Sequence, residues 1–278
     1  MFPNLEKLQL LECASIKKVV CCNNKENPIE LVNSSFESCT DLQELYGNFI
    51  ITGEKVFYQC SNLKLNLDRT KDFSEGANVT NISFQEGLLS GYNTFYGCSS
   101  LNIEAFRYLM NRLPDSIVTM ESMFSGCGNI IGEINRGLLN KCKNVDTLKD
   151  AFSGTGLFGA IESRRENYSI DDETTWGFFD YVPNLTSLER AFSGTDVEYI
   201  DEKVFEPVLN TLVNIDYCFS NCYNLRTVKD SNAIVKETAE FSTRTFFTQL
   251  TKLVNNMGYP VDVFSGCQFV RMKVDVDA

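Results

Sequence analysis

A short motif, F-x-x-C-x-x-L, recurs along most of this chain and limits what the chain can fold into. Six segments match it fully. They are Phe36-Glu-Ser-Cys39-Thr-Asp-Leu42, Phe57-Tyr-Gln-Cys60-Ser-Asn-Leu63, Phe95-Tyr-Gly-Cys98-Ser-Ser-Leu101, Phe124-Ser-Gly-Cys127-Gly-Asn-Ile130, Phe219-Ser-Asn-Cys222-Tyr-Asn-Leu225 and Phe264-Ser-Gly-Cys267-Gln-Phe-Val270. Two more copies, Phe152-Ser-Gly-Thr155 and Phe192-Ser-Gly-Thr195, replace cysteine by threonine. Successive phenylalanines lie 21 to 45 residues apart, so the repeat is irregular.

A repeat of this size predicts a solenoid. One unit is too small to bury its own apolar side chains, so neighbouring units must stack and share a core. Several of the spacings fall near the range of about 20–29 residues that is typical of leucine-rich repeats. We therefore predict a leucine-rich-repeat-like solenoid of irregular repeat length, forming one domain over residues 1–278 with an insert at about 162–181.

Short apolar segments beside the motifs predict strands of three to five residues that stack in parallel on one face. They include Leu5–Leu10, Leu42–Leu45, Leu63–Leu67, Leu185–Leu188 and Leu225–Val228. Apolar spacing near 3.6 predicts short helices on the other face at Glu104–Leu113, Lys203–Val213 and Arg244–Met257.

The repeated aromatic and sulfur positions are the predicted core. Its members are Phe36, Cys39, Phe57, Cys60, Phe95, Cys98, Phe124, Cys127, Phe152, Phe192, Phe219, Cys222, Phe264 and Cys267. Cysteine is small and often buried, and threonine is of similar size. The chain has 11 cysteines, an odd number, with no C-x-x-C pair, so we expect a ladder of buried free thiols rather than a disulfide framework. Such thiols persist best in a reducing compartment.

The segment Val118-Thr-Met120-Glu-Ser-Met123-Phe124-Ser-Gly-Cys127-Gly-Asn-Ile130 resembles the repeat of BspA-like leucine-rich-repeat proteins. It is also similar to repeats of mycoplasma surface lipoproteins and of some gut-phage virion proteins. The weaker resemblance extends from about residue 2 to residue 270. It implies a structural or binding role without an active site, in a virion or at a cell surface. The expected partners are proteins, including neighbouring subunits of a larger assembly, or a cell-surface glycan or receptor.

The beginning of the chain resembles an internal repeat. Phe2-Pro-Asn-Leu5-Glu-Lys-Leu8 is similar to Val182-Pro-Asn-Leu185-Thr-Ser-Leu188, so the chain opens within the repeat without a polar cap. Terminal repeats usually need such a cap for solubility. We therefore expect either a segment of a larger protein or an end that a partner covers.

Composition excludes several classes of function. The chain has no histidine, which removes histidine-based nucleophile systems and histidine metal ligands. A net charge of −12 disfavours nucleic acid as a partner. We see neither an apolar segment long enough to span a membrane nor a secretory signal. No residues suggest a metal or a cofactor.

The insert carries the residues that we predict as an interface. It contains Tyr168, Trp176, Phe178, Phe179 and Tyr181, with Arg164 and Arg165 near its start. Aromatic and arginine side chains are favoured anchors in protein interfaces. The same rings could instead cover the side of the solenoid or fill a degenerate repeat.

Two other patterns could suggest chemistry. Gly154-Thr-Gly156-Leu-Phe-Gly159-Ala160 matches the dinucleotide fingerprint, but its first glycine belongs to the repeated turn and no amphipathic helix is predicted after it. Carboxylates cluster at 171–173 and at 196–202, where solvated surface charge is the simplest interpretation and weak calcium binding an alternative. A carboxylate-based glycan hydrolase on a solenoid scaffold remains the alternative function, and it would need two acidic groups facing one groove.

Overall fold

The computed structural model describes residues 6–21, 27–65, 80–165, 176–201, 203–225, 227–229, 239–242, 262–268 and 270–273. Its regular structure is dominated by short strands. These are β1 (Lys7–Leu8), β2 (Lys18–Val20), β3 (Ile29–Leu31), β4 (Glu44–Ile51), β5 (Thr80–Phe84), β6 (Gly132–Glu133), β7 (Leu157–Ile161), β8 (Asp196–Asp201), β9 (Thr227–Lys229), β10 (Ala239–Ser242) and β11 (Val270–Lys273).

All strand pairs in the described residues are parallel, as the sequence predicts. β4 is the centre of the first sheet, where it pairs with β2, β3 and β5. The second sheet has the order β6-β7-β8-β9, and β10 pairs with β11. Parallel neighbours need crossover connections, and here the motif-bearing turns provide them.

Helices are few. The helix α1 (Ile103–Met110) begins where the Asn102 side chain accepts a hydrogen bond from the Ala105 N–H, at 2.9 Å. It ends three residues before the predicted boundary. The region 203–213 forms only a 3₁₀ turn at Glu206–Val208, and two more such turns lie at Arg136–Leu139 and Phe178–Tyr181. The helix predicted at 244–257 lies outside the described residues.

Successive copies of the motif are joined by a backbone hydrogen-bond ladder. The Phe124 N–H donates to the Ala151 carbonyl at 3.0 Å, and the Gly126 N–H donates to the Ser153 carbonyl at 2.7 Å. The N–H of Ser125, which lies between them, instead returns to the Ser122 carbonyl, and the Cys127 N–H returns to the Phe124 carbonyl, closing turns within the unit. Equivalent bonds join neighbouring copies from Leu10 to Ser265. Along each turn, N–H groups therefore donate in alternation to a carbonyl of the next unit and to a carbonyl of their own unit.

The two residues that flank each motif phenylalanine at a distance of two have left-handed backbone conformations. Around Phe124 these are Ser122, with φ of 55°, and Gly126, with φ of 74°. The residue two positions after the phenylalanine is glycine in five units, whereas the residue two positions before it is never glycine. Non-glycine residues in this region cost of order 1–2 kcal/mol, which the ladder and the core must offset.

The motif phenylalanines form two stacks inside the ladder. In the first, Phe36, Phe57, Phe95 and Phe124 have neighbouring ring centroids 5.4 Å apart and nearly parallel planes. The second runs from Phe152 through Phe192, Phe219 and Phe264 at 5.5–5.9 Å. Phe106 of α1 packs edge-on against both Phe124 and Phe152, which explains why the helix docks at this point.

The motif cysteines cap carbonyl groups of the preceding unit. The Cys60, Cys98, Cys127, Cys222 and Cys267 thiols donate to the carbonyl of the previous motif phenylalanine at 2.9–3.1 Å. The hydroxyls of Thr155 and Thr195 donate instead to the carbonyl of the phenylalanine in their own unit, at 2.8 and 2.7 Å. A small side chain with one donor therefore satisfies this position. All ten described cysteines are free thiols, and Cys13, Cys21 and Cys267 are the ones that are only half-buried.

We expect Cys127→Thr and Phe124→Ala to differ strongly in stability. Threonine occupies the equivalent position in two units with its hydroxyl satisfied, so Cys127→Thr should cost less than about 1.5 kcal/mol. Phe124→Ala removes a fully buried ring and should cost about 3–5 kcal/mol. Urea unfolding of the reduced protein measures both, and equal losses would contradict the proposed tolerance of the cysteine position.

The buried thiols should make the fold sensitive to alkaline pH. Burial raises the pKa of Cys127 to about 12 and that of Cys222 to about 11, from 9.0. The stability that these raised pKa values contribute is complete below pH 9 and is lost as the pH rises toward 11–12. The reason is that the unfolded chain releases thiol protons in this range while the folded chain keeps them. Each thiol adds a slope of about 1.4 kcal/mol per pH unit.

The measurement is urea unfolding at pH 8, 9 and 10 in the presence of reductant, with Cys127→Thr as the matched control. Tyrosine and lysine titrate in both proteins, so the difference in slope isolates one thiol. Identical slopes above pH 9 would contradict the assignment.

Candidate binding surface

Two residues of the predicted interface lie in the core. Phe178 and Phe179 are 1% and 0% exposed. Phe178 packs edge-on against Phe192 with centroids 5.8 Å apart, and Phe179 stacks on Phe205 at 5.5 Å. The prediction that these two rings contact a partner is therefore wrong, because they fill the interior beside the motif phenylalanines.

The other insert residues have mixed positions. Arg164 is half-buried and ion-paired with Asp180, and its guanidinium lies 5.8 Å from the ring centroid of Trp176. Trp176 in turn lies 5.0 Å from Tyr181. These contacts hold the two ends of the insert together, and Arg165 is exposed. Tyr168 lies outside the described residues.

The structure instead gathers a different aromatic group on the surface. Tyr58 and Tyr96 directly follow motif phenylalanines in neighbouring units, so the ladder brings them into register. Their rings stack with centroids 4.9 Å apart and an interplanar angle of 13°. The Lys55 ammonium lies 6.0 Å from the Tyr58 centroid and 5.8 Å from that of Tyr92. We call Lys55, Tyr58, Tyr92 and Tyr96 the tyrosine cluster, and all four are half-exposed.

The polar groups of this cluster differ from those of a structural tyrosine. Tyr108 is buried, and its hydroxyl donates to Asn81 at 2.7 Å. In the tyrosine cluster none of the three hydroxyls has a hydrogen-bond partner among the described residues. Nor does any described carboxylate lie within ion-pair distance of Lys55. These groups are therefore available to solvent or to a ligand.

A row of paired charges continues along the same turns. Lys149 lies between Glu121, at 3.4 Å, and Glu189, at 3.8 Å. Arg190 binds both carboxylate oxygens of Asp150, at 2.9 and 3.0 Å, and these hydrogen bonds raise the arginine pKa. The ion pairs join successive units. Their carboxylates face cations, which is not the paired-carboxylate geometry of a glycoside hydrolase.

The acidic cluster at 196–202 does not converge on one point. Asp196 and Asp201 stand at opposite ends of β8, about 16 Å apart at the usual rise of a strand. Asp196 accepts a hydrogen bond from Asn224, and Asp201 accepts one from the Lys203 N–H. Over the described ranges, no three potential ligand side chains come together as a metal site would require. The cluster at 171–173 lies outside those ranges.

The glycine motif at 154–160 leads into a strand. Residues Leu157–Ile161 form β7, so no helix N-terminus follows these glycines to receive a pyrophosphate. The dinucleotide interpretation is therefore excluded by local geometry.

No protein-family model matches this sequence, and a search of curated proteins finds no significant match. The resemblance to BspA-like repeats therefore stays a prediction. No helix in the described part of the chain has the length and apolar character needed to cross a bilayer.

The sequence contains a signal for the tyrosine cluster. The residue after the motif phenylalanine is tyrosine in two consecutive full copies and serine in most others. Stacked units place equivalent positions side by side, so this departure predicts adjacent rings. The sequence gives no such indication for Lys55, because whether its side chain lies near Tyr92 depends on how two units pack together.

We expect the stacked rings to be energetically coupled. A double-mutant cycle with Tyr58→Ala and Tyr96→Ala should give a coupling of about 0.5–1.5 kcal/mol, the usual range for aromatic pairs. Tyr58→Ala combined with Tyr223→Ala serves as the control, because Tyr223 is exposed in a distant unit. Thermal or urea unfolding gives the four free energies, and additivity of the first pair would contradict the stack.

Proposed function

We propose that this chain is a non-enzymatic repeat protein, a leucine-rich-repeat-like solenoid that presents an extended surface to a protein or glycan partner. In this proposal it acts as a structural component of a virion or as a surface-attachment component, within a larger protein or assembly. The observation that carries the proposal is the hydrogen-bond ladder from Leu10 to Ser265, which arranges equivalent side chains in rows. Extended surfaces of this kind are what repeat proteins use for binding.

The surface chemistry supports binding rather than catalysis. The carboxylates at 121, 150 and 189 form ion pairs with Lys149 and Arg190, whereas a hydrolase needs two acidic groups that face a shared substrate. The hydrogen bond that Asp115 accepts from Lys143 lowers the pKa of this carboxyl. A general acid needs the opposite shift. By contrast, the tyrosine cluster offers half-exposed rings and unsatisfied polar groups.

The setting is proposed from the repeat and the thiols together. The resemblance of residues 118–130 to repeats of surface and virion proteins favours an exterior location. The free thiols of the core favour synthesis in a reducing compartment, which suits a particle assembled inside a cell. Among the two exterior settings, these observations therefore favour the virion.

Localisation in the native source tests the proposal. Antibodies raised against the folded chain should label the outside of intact particles or cells under immunogold electron microscopy. Light scattering of the detergent-free extract should then find the chain in a species much larger than 31.4 kDa. A chain found only as a free monomer inside cells would contradict the proposed role.

A further inference from the structure

We propose that the tyrosine cluster binds a glycan that carries carboxylate groups, such as a uronic or sialic acid. This inference rests on the proposed binding function and specifies its ligand class. The argument depends on the rings, their hydroxyls and the position of Lys55.

The rings are positioned to receive sugar residues. Tyr58 and Tyr96 belong to neighbouring units, and their stacking fixes both rings without further packing. Fixed aromatic side chains contribute contact area at a low entropic cost, because little side-chain freedom is lost on binding. Because the two rings cover each other's inner faces, they offer a sugar their outer faces and the edge that carries the hydroxyls.

The polarity of the cluster favours a glycan over an apolar peptide. Three phenol hydroxyls without described partners can each donate and accept a hydrogen bond, as sugar hydroxyls require. The neighbouring positions in the same row are Glu37 and Ser125, which are not apolar anchors. A peptide with large apolar side chains would find no pocket for them among these residues.

Lys55 gives the cluster one cation with which an anionic sugar can pair, although the whole chain is acidic. Its ammonium lies near two tyrosine rings and has no described carboxylate partner. Glu54 and Glu121 occupy the position of Tyr92 in the units on either side of it. We therefore place the bound carboxylate at Lys55 and Tyr96, away from Tyr92.

The test compares three probes on the full chain by isothermal titration calorimetry. Hexagalacturonate carries sugar rings and carboxylates, its methyl ester carries rings without charge, and hexaglutamate carries charge without rings. A hyaluronan hexasaccharide and sialyllactose extend the anionic set. We expect the anionic glycans to bind better than the ester by about tenfold or more, the effect of one charge-assisted contact. We expect no measurable binding of hexaglutamate.

Variants then assign the site. Lys55→Gln should weaken the binding of hexagalacturonate by about tenfold and leave the binding of the ester unchanged. Tyr96→Phe keeps the ring stack but removes a hydroxyl, so it should weaken the binding of both sugars several-fold. Lys17→Gln and Tyr223→Ala remove an exposed lysine and an exposed tyrosine elsewhere, and both should bind like the parent. Unchanged thermal unfolding of each variant shows that folding is retained.

Several results would overturn the inference. They are binding of hexaglutamate at the same affinity, equal losses in the control variants, or no binding of any anionic glycan. Immunogold labelling separates this failure from that of the proposed function. Exterior labelling without glycan binding would leave the surface role standing, whereas a free intracellular monomer would contradict that role whatever the probes show.

Discussion

The alternation of backbone hydrogen bonds in the turns is the constraint on which the other features depend. The N–H groups of Phe124 and Gly126 leave their own unit for the next one, whereas the Cys127 N–H closes a turn within it. A unit built this way cannot satisfy its donors alone, because half of them point at a neighbour. Stacking is therefore imposed by the backbone, and the left-handed residues around each phenylalanine are tolerated because both neighbours hold them.

The ladder also explains which side chains the motif accepts. Units in register bring the phenylalanine rings to 5.4–5.9 Å, so one flat apolar ring per unit fills the interior. In most units the carbonyl of that residue also accepts a hydrogen bond from a small side chain, a cysteine of the next unit or a threonine of the same one. Units whose phenylalanines lie 21 to 45 residues apart in sequence therefore share one core among the described residues.

The proposed binding surface depends on the same register. A side chain placed at an equivalent position in two neighbouring units becomes a pair, and the chain uses this in two ways. Lys149 and Arg190 pair with carboxylates of adjacent units, which couples the units. Tyr58 and Tyr96 pair with each other, while Lys55 stays without a described carboxylate. One scaffold thus carries both a stabilising row and a surface suited to a ligand.

Much of the interior could be predicted from the sequence, and much of the surface could not. The periodic phenylalanine and cysteine positions were sufficient to locate buried residues and parallel strands, because burial and stacking follow directly from a repeated apolar pattern. The sequence leaves open whether the insert aromatics Phe178 and Phe179 contact a partner or pack against the chain itself, and the structure places them beside Phe192 and Phe205. No local pattern distinguishes a ring that covers a core from one that faces solvent, since that depends on the neighbouring unit. For the same reason, only the tertiary structure decided that Lys55, Tyr58, Tyr92 and Tyr96 form one cluster.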